Sequence, residues 1–507
     1  MRASIGIVAF FCLALNACAL GPDYTRPELP VPERWSNTTT ATQIDTLVQP
    51  RWWTAFGDPE LDALLHAAMA QNLDLKIAAA NLEQSRAAAR MAAAPMWGTA
   101  ALQPRYAKTK QSRRIVEDPS AALRELGVTA PPNPSKQYSL PLEVSYEFDL
   151  WGRLRRGREA ATAEFHATRE DAHTIYLTLL TTVAGNYFDI REIDERIMLA
   201  ERVQALGNET LRIAEKKYAA GMIAQTDVLR VRAQVAQLDG DIIELQRRRV
   251  ERQHALAVLL GQPPGVLEAT AKSPVRDPGS APLVSILSAK PLRAVVQIPQ
   301  VIPGLPSNLL ARRPDVRAAE YRLIAANARI GEAKAAFFPA ITLTGEYGYQ
   351  SRALDNLISS KSITWGISPQ LYVPLFDGGK RRGQLQAARA ATEEAVERYR
   401  LTLLRAFEEV ENALAARFYQ AQQQTRITVA VEALNTAHMQ VRRQYEHGQV
   451  PLLEVLDAER SLLAVEERAL ALHRARLDAV LFLYKALGGG WEQGAFTGQQ
   501  PANHPEM

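Results

Sequence analysis

The chain has 507 residues, 47% of them hydrophobic and 22% charged, which is the composition of folded protein rather than of disordered or collagen-like chain. Its 59 Lys and Arg against 55 Asp and Glu leave a net charge of +4 interspersed along the sequence, which excludes the concentrated basic face of a nucleic-acid binder. The cysteines, Cys12 and Cys18, both precede residue 20, so no disulfide framework or cysteine-rich metal site is available, and past the N-terminus no apolar run approaches the ~20 residues of a spanning helix.

Residues 1–17 have the layout of a secretory signal peptide: Arg2, an apolar stretch from Ile5 to Leu15, then small residues. Leu15-Asn16-Ala17-Cys18 resembles a bacterial lipobox, with Asn16 as its departure. On this reading Cys12 leaves with the signal and Cys18 carries a covalent lipid, which holds the chain at a membrane surface without spanning it. Ala19, where an Asp would mark inner-membrane retention, favours outer-membrane sorting by resemblance. Residues 18–60 form an extended segment, with Pro22, Pro27, Pro30 and Pro32 near its start.

The body reads as one unit written twice, residues 61–262 and 314–490, each with a helix, two strands and a long helical hairpin. A shift of 227 places Lys217-Tyr218-Ala219-Ala220-Gly221 on Gln444-Tyr445-Glu446-His447-Gly448, and Leu260-Gly261 on Leu487-Gly488. Residues 142–262 and 375–450 hold no proline, and Leu179, Val183, Asn186, Ile190, Ile193, Ile197 and Ala200 follow a heptad. A helix from about Arg153 to Tyr218 would be on the order of 100 Å long. Gly221 and Gly448 supply the left-handed residue that turns the chain back. Before each long helix the period drops to 2. Leu140, Leu142, Val144, Tyr146 and Phe148 alternate with Glu143, Ser145, Glu147 and Asp149, and the apolar set maps onto Ile367, Pro369, Leu371, Val373 and Leu375. Earlier strands are marked by Ala100, Leu102 and Tyr106, and by Ile341, Leu343, Tyr347 and Tyr349.

Between the first two strands, residues 110–136 form a loop, with Lys108, Lys110, Arg113 and Arg114 around its start, that is assigned to the cell surface. Residues 263–313 are a Pro-rich connector of irregular structure, and 491–507 a C-terminal tail. Glu408, Glu409 and Glu411 read as a solvated face. Four amphipathic strands of about ten residues can cross a bilayer only in a closed barrel, and four cannot close around a lumen, so several copies must pool them.

Trp52-Trp53, Phe56-Gly57-Asp58-Pro59-Glu60-Leu61, Asn72-Leu73-Asp74-Leu75, and the run from Gly304-Leu305-Pro306-Ser307 and Leu309-Leu310 through Arg312-Arg313-Pro314-Asp315-Val316 and Ala325-Ala326-Asn327-Ala328 to Phe337-Phe338-Pro339 resemble the TolC-like outer-membrane efflux channels, in the lipoprotein branch serving resistance-nodulation-division pumps. The resemblance implies a membrane α+β fold: a homotrimer whose 12-stranded outer-membrane β-barrel, four strands per chain, continues into a periplasmic 12-helix α-barrel, with the connector in an equatorial belt. It implies passive export of drugs, toxic compounds or metals, with a periplasmic adaptor, an inner-membrane proton-driven pump and outer-membrane lipid as partners. The alternatives are an exit duct for type I polypeptide secretion, or a periplasmic adaptor or coiled-coil scaffold.

No catalytic motif, nucleotide loop or metal-ligand spacing is present, so an enzyme is not expected and neither is a cofactor beyond the lipid on Cys18. The polar residues that stand out lie at the two helix turns. Thr226 and Asp227 follow the first, and Glu454 and Asp457, at i and i+3, follow the second. In the resembling family such carboxylates ring a closed periplasmic aperture, tied shut by an Arg and a Tyr. Tyr445 matches the tyrosine, Val450 stands where some members have the Arg, and Glu454 replaces an Asp. Arg230, placed on Asp457 by the repeat, is the expected counter-charge.

Overall fold

A computed structural model describes residues 19–28, 31–32, 34–36, 51–112, 133–264, 291–299, 301 and 312–489. The signal peptide, Cys18, Arg113, Arg114, most of the surface loop and the connector, the stretch from Gly304 to Leu310 and the C-terminal tail lie outside them. After a 3-10 turn at Trp52–Phe56 come helices α1 (Pro59–Gln71) and α2 (Leu73–Ala93), strands β1 (Thr99–Leu102), β2 (Arg105–Thr109) and β3 (Ser135–Phe148), and helices α3 (Arg153–Ala219) and α4 (Gln225–Leu259). A helical turn at Leu292–Val295 precedes α5 (Pro314–Ala335), β4 (Ala340–Ser351), β5 (Ile363–Tyr372), α6 (Lys380–Glu446) and α7 (Leu452–Ala486).

The duplication is visible in the backbone. Helices α3 and α6 are 67 residues each, and α4 and α7 are 35 each, with every end displaced by the same 227 positions. Each long helix stops the same way. Gly221 and Gly448 adopt φ +71° and +73°, and the amides of Met222 and Gln449 reach back to the carbonyls of Lys217 and Gln444 at 2.9 and 2.8 Å. This satisfies carbonyls that the helix end would otherwise leave open and sends the chain back. Of the seven heptad residues expected on α3, all are buried except Asn186 and Ile197, which are half-buried.

The strands form one antiparallel sheet in the order β1-β3-β4-β5, with β2 also on β3. The first expected strand appears as two because Pro104 cannot donate to the ladder. Leu102 faces Leu142 and Arg105 faces Ser139, so the register runs through the break without a slip. On one face lie Leu142, Tyr347 and Trp365, and on the other Glu143, Glu346 and Gly366. The apolar face is exposed at Leu142, Val144, Tyr347, Trp365, Ile367 and Leu371. Strand β5 ends at Tyr372, so Val373 and Leu375, expected on it, lie beyond its end. Among the described residues the outer strands, β1 with β2 and β5, each pair on one side only.

By contacts the chain divides into two compact units, each drawing on both sequence repeats: residues 1–27, 83–167 and 320–398, and residues 28–82, 168–319 and 399–507. In the first, residues 19–27 are extended and pinned along α5, whereas the segment expected to stay extended to residue 60 already holds the turn at Trp52–Phe56 and the start of α1. Arg26 pairs with Glu320 at 2.6 Å, Asn327 donates to the Pro22 carbonyl at 2.9 Å, and Arg156 holds Asp23 at 2.7 Å. A Cβ on Gly331 would come within 2.5 Å of the Leu20 carbonyl oxygen, so only glycine lets the segment lie this close. In the second unit the core gathers Trp52, Trp53, Phe56, Leu61, Leu65, Leu180, Val183 and Phe188, with Tyr484 stacked on Trp52 at 4.8 Å.

Candidate functional site at the hairpin turns

The two hairpin turns meet over an apolar cluster. Ala214, Val228, Val231 and Val235 from the first hairpin bury themselves with Tyr445, Leu452, Val455 and Leu456 from the second, and Ile223 and Val450 pack at the margin. Val450, where the resemblance led to expecting an Arg, is packing here. The polar residues stand around this cluster. Thr226, Arg230, Glu454 and Asp457 are exposed and Asp227 is half-buried. Arg230 and Asp457 line one groove of about 440 Å³ between α4 and α7, together with Gln237, Asp241, Glu459 and Arg460.

Within one chain the counter-charge arrangement differs from expectation. Arg230 makes its ion pair with Asp227, one turn back on its own helix, at 3.8 Å, rather than with Asp457. An exposed cation and a half-buried carboxylate at that distance contribute about 0.5 kcal/mol or less. Tyr445 is held by a residue the sequence reading did not single out. The Lys217 ammonium sits 3.9 Å from its ring centroid and donates to its backbone carbonyl at 3.3 Å. The hydroxyl of Tyr445 is buried with no hydrogen-bond partner, and burial, then the nearby Asp227 charge, push its pKa up. The tyrosine thus acts through its ring face rather than its hydroxyl.

One turn beyond Leu456, Glu459 is 4% exposed and neither carboxyl oxygen has a hydrogen-bond partner. His438 of α6 lies 3.8 Å away and is also buried. Burial raises the Glu459 pKa, against Arg442, and burial together with Arg442 lowers that of His438. Both groups therefore favour their neutral forms. The sequence signal is Leu452, Val455, Leu456, Glu459, a heptad stripe with a carboxylate in an apolar place.

Farther along the same unit, the family-like motifs acquire physical roles. Asp58 caps α1 by accepting from the Glu60 amide at 2.9 Å and takes the Tyr187 hydroxyl at 2.5 Å. Arg191, 0% exposed, pairs with Glu60 and with Asp194 at 3.6 Å, and Arg249 holds Asp194 at 2.5 Å. Arg474 clamps Asp189 at 2.8 Å and donates to the Gly185 carbonyl at 2.9 Å. Arg313 is buried between Asp315 and Glu409, at 2.6 and 2.7 Å, and caps the Ala486 carbonyl. This corrects the solvated-face reading of the acidic run on α6. Glu409 is the partner of Arg313 and Glu411 accepts from both the amide and hydroxyl of Ser36, while Glu408 alone stays exposed. A cation supplied from a hundred positions away leaves no local trace in the acidic run.

Among the described residues no cluster of His, Cys, Asp and Glu could hold a metal ion, and no helix is long and apolar enough to cross a membrane. The family model described as outer membrane efflux protein matches residues 64–262 and 305–489. The solvent efflux pump outer membrane protein SrpC of Pseudomonas putida is 34% identical over 487 residues, covering 95% of this chain and 97% of that one. The cation efflux system protein CusC of Escherichia coli is 31% identical over 487 residues, with 95% and 98% covered. The crystal structure of the open state of the MtrE outer membrane channel of Neisseria gonorrhoeae superposes with a TM-score of 0.79 at 30% identity, covering 93% of this chain and 98% of that one.

Proposed function

Given that the chain belongs to the outer membrane efflux protein family and is an outer-membrane efflux channel component, we propose that it works as a homotrimer, receiving small molecules from a periplasmic adaptor and a proton-driven inner-membrane pump and releasing them passively outside. The supporting observation is the sheet. It has an exposed apolar face, an opposite face carrying Glu143 and Glu346, and two outer edges paired on one side only. Such a sheet satisfies its backbone in hydrocarbon only when copies close it into a barrel, and three chains of four strands give 12. Solvents and cations in the names of SrpC and CusC support small solutes as cargo.

The hairpin turns are the gate in this reading. Three copies of Glu454 and Asp457 converge as six carboxylates around a narrow opening, where their summed negative charge attracts cations and impedes anions. Thr226, Asp227 and Arg230 line the same mouth, and Lys217 on the Tyr445 ring holds the two hairpins of a chain together. Cys18 carries the lipid anchor. In support, Ala19 lies against Gly152, where β3 gives way to α3 and the sheet meets the periplasmic side. The role is transport rather than catalysis. Replacing Glu454 and Asp457 by Ala should raise single-channel conductance in planar bilayers several-fold. Unchanged conductance would remove the gate assignment, and absence of any conductance by the wild type would remove the channel reading.

A further inference from the structure

The two repeats begin their long helices with the same kind of charge and treat it differently. At the start of α3, Arg153 is held by Glu147 at 2.8 Å, Arg155 by Asp149 at 3.3 Å, and Arg156 by Asp23 at 2.7 Å and Glu159 at 2.8 Å. At the start of α6, Lys380, Arg381 and Arg382 follow Val373-Pro374-Leu375-Phe376-Asp377, and from Gly378 to Thr392 there is no acidic residue. Asp377 is committed to Arg381 at 3.2 Å and to capping the helix through the amides of Gly379 and Arg381. Lys380, Arg382 and Arg389 are exposed, and no described carboxylate pairs with them. Where the first repeat has Glu147 and Asp149, the second has Pro374 and Phe376, and Phe376 and its neighbour Leu375 are each 91% exposed.

A helix N-terminus disfavours cations, so Lys380 and Arg382, unpaired in the first turn, gain from negative charge supplied from elsewhere. Large apolar side chains open to the outside, with cations beginning after the short Asp377-Gly378-Gly379 turn, form the pattern of a chain crossing from hydrocarbon into headgroups. The position agrees. These residues follow the helix end of β5, the end of the sheet facing the periplasm. Arg389, two turns below Arg382 on the same face, tilts back toward the helix start as all helical side chains do.

We propose that Lys380, Arg382 and Arg389, with Leu375 and Phe376 as the apolar footing, form a docking surface for anionic phospholipid headgroups of the leaflet on the periplasmic side of the outer membrane. The proposal rests on the channel reading above. In the first repeat the corresponding charge is neutralised from within the chain, so the surface is confined to the second. Its occupant is recognised by a phosphate-centred negative charge attached to acyl chains, which free inorganic phosphate does not offer.

The test uses the intact, detergent-purified trimer with dioleoyl phosphatidylglycerol and dioleoyl phosphatidylcholine, bound lipid being counted by native mass spectrometry. Each cation near an anionic surface strengthens association by about fivefold, so the triple variant Lys380→Gln, Arg382→Gln, Arg389→Gln should lose phosphatidylglycerol affinity by roughly a hundredfold. Phosphatidylcholine binding should not change. Arg426→Gln, an exposed cation elsewhere on α6, should leave both lipids unaffected, and Arg382→Lys with Arg389→Lys should keep the selectivity. Equal retention of the two lipids by the wild type, or undiminished phosphatidylglycerol binding by the triple variant, overturns the proposal. So does dissociation of the triple variant into monomers, which would assign these cations to a subunit interface. Wild-type conductance in planar bilayers, measured on the same preparation, reads the channel assignment separately.

Discussion

Midway along the first long helix, Tyr187, Phe188, Arg191 and Asp194 are all buried, whereas the equivalent positions of the second hold Leu414, Ala415, Phe418 and Ala421, with Phe418 and its neighbour Tyr419 exposed. The helices match in length and in their glycine turns. A duplicated backbone has therefore been given two environments. The first copy is wrapped by its own chain, which closes an ion network of Glu60, Asp194 and Arg249 around Arg191. The second presents aromatic side chains outward, where neighbouring copies can cover them. Shape was inherited by both copies, and charge was reassigned between them.

The contrast is broken most readily at its buried end. Arg191→Met leaves Glu60 and Asp194 without their shared cation and should cost about 3–5 kcal/mol, read as loss of folded trimer on native gels. The equivalent change in the second repeat, Phe418→Met, should cost under ~1 kcal/mol in chain stability. Comparable losses from the two would mean that the helices are not partitioned in this way. Smaller is Tyr445→Ala, which opens a cavity in the tip cluster worth about 3 kcal/mol and should raise channel conductance. Its repeat partner, Tyr218→Ala, removes an exposed ring and should do little. Tyr445→Phe should keep wild-type conductance, because the lost hydroxyl has no partner.

Next in size is the pH response of the buried pair. Since burial holds the Glu459 pKa above its ordinary value of about 4.5, the folded state favours the protonated acid. That advantage is present below the ordinary value and is lost as pH rises through the folded one. Glu459→Gln should therefore raise the melting temperature near pH ~8 and bring no gain near pH ~4. His438 runs the other way. Its pKa lies below the ordinary 6.5, so the fold loses stability as pH falls through that value, and His438→Asn should flatten the acid limb. An unchanged pH profile in both variants would show the pair to be hydrated. The smallest effect belongs to Arg230→Ala, about 0.5 kcal/mol or less by thermal unfolding, because its partner Asp227 is 3.8 Å away and both are partly solvated.

Much of the backbone was legible because it rests on local rules. Proline-free heptads gave α3 to within one residue of its end at Ala219, and glycine placed both turns. Alternation assigned the two sheet faces correctly, and only Pro104 disturbed the ladder, by lacking an amide hydrogen. Long-range charge was not legible. Arg313 and Glu409 lie 96 positions apart, and Arg474 and Asp189 lie 285 apart, so no periodicity connects them. The turn carboxylates were found because they sit beside a glycine signal, whereas Lys217, on the preceding turn, looked like any helical cation until the Tyr445 ring was seen beneath it.

The two half-paired rims of the sheet carry a genetic consequence. A chain whose β5 or β1 can no longer dock spoils every ring it enters, however sound the other members are. In a cell making such a defective allele beside the intact one, functional rings of three should fall as roughly the cube of the intact share. Equal dosage would then leave about one-eighth of the export capacity rather than half.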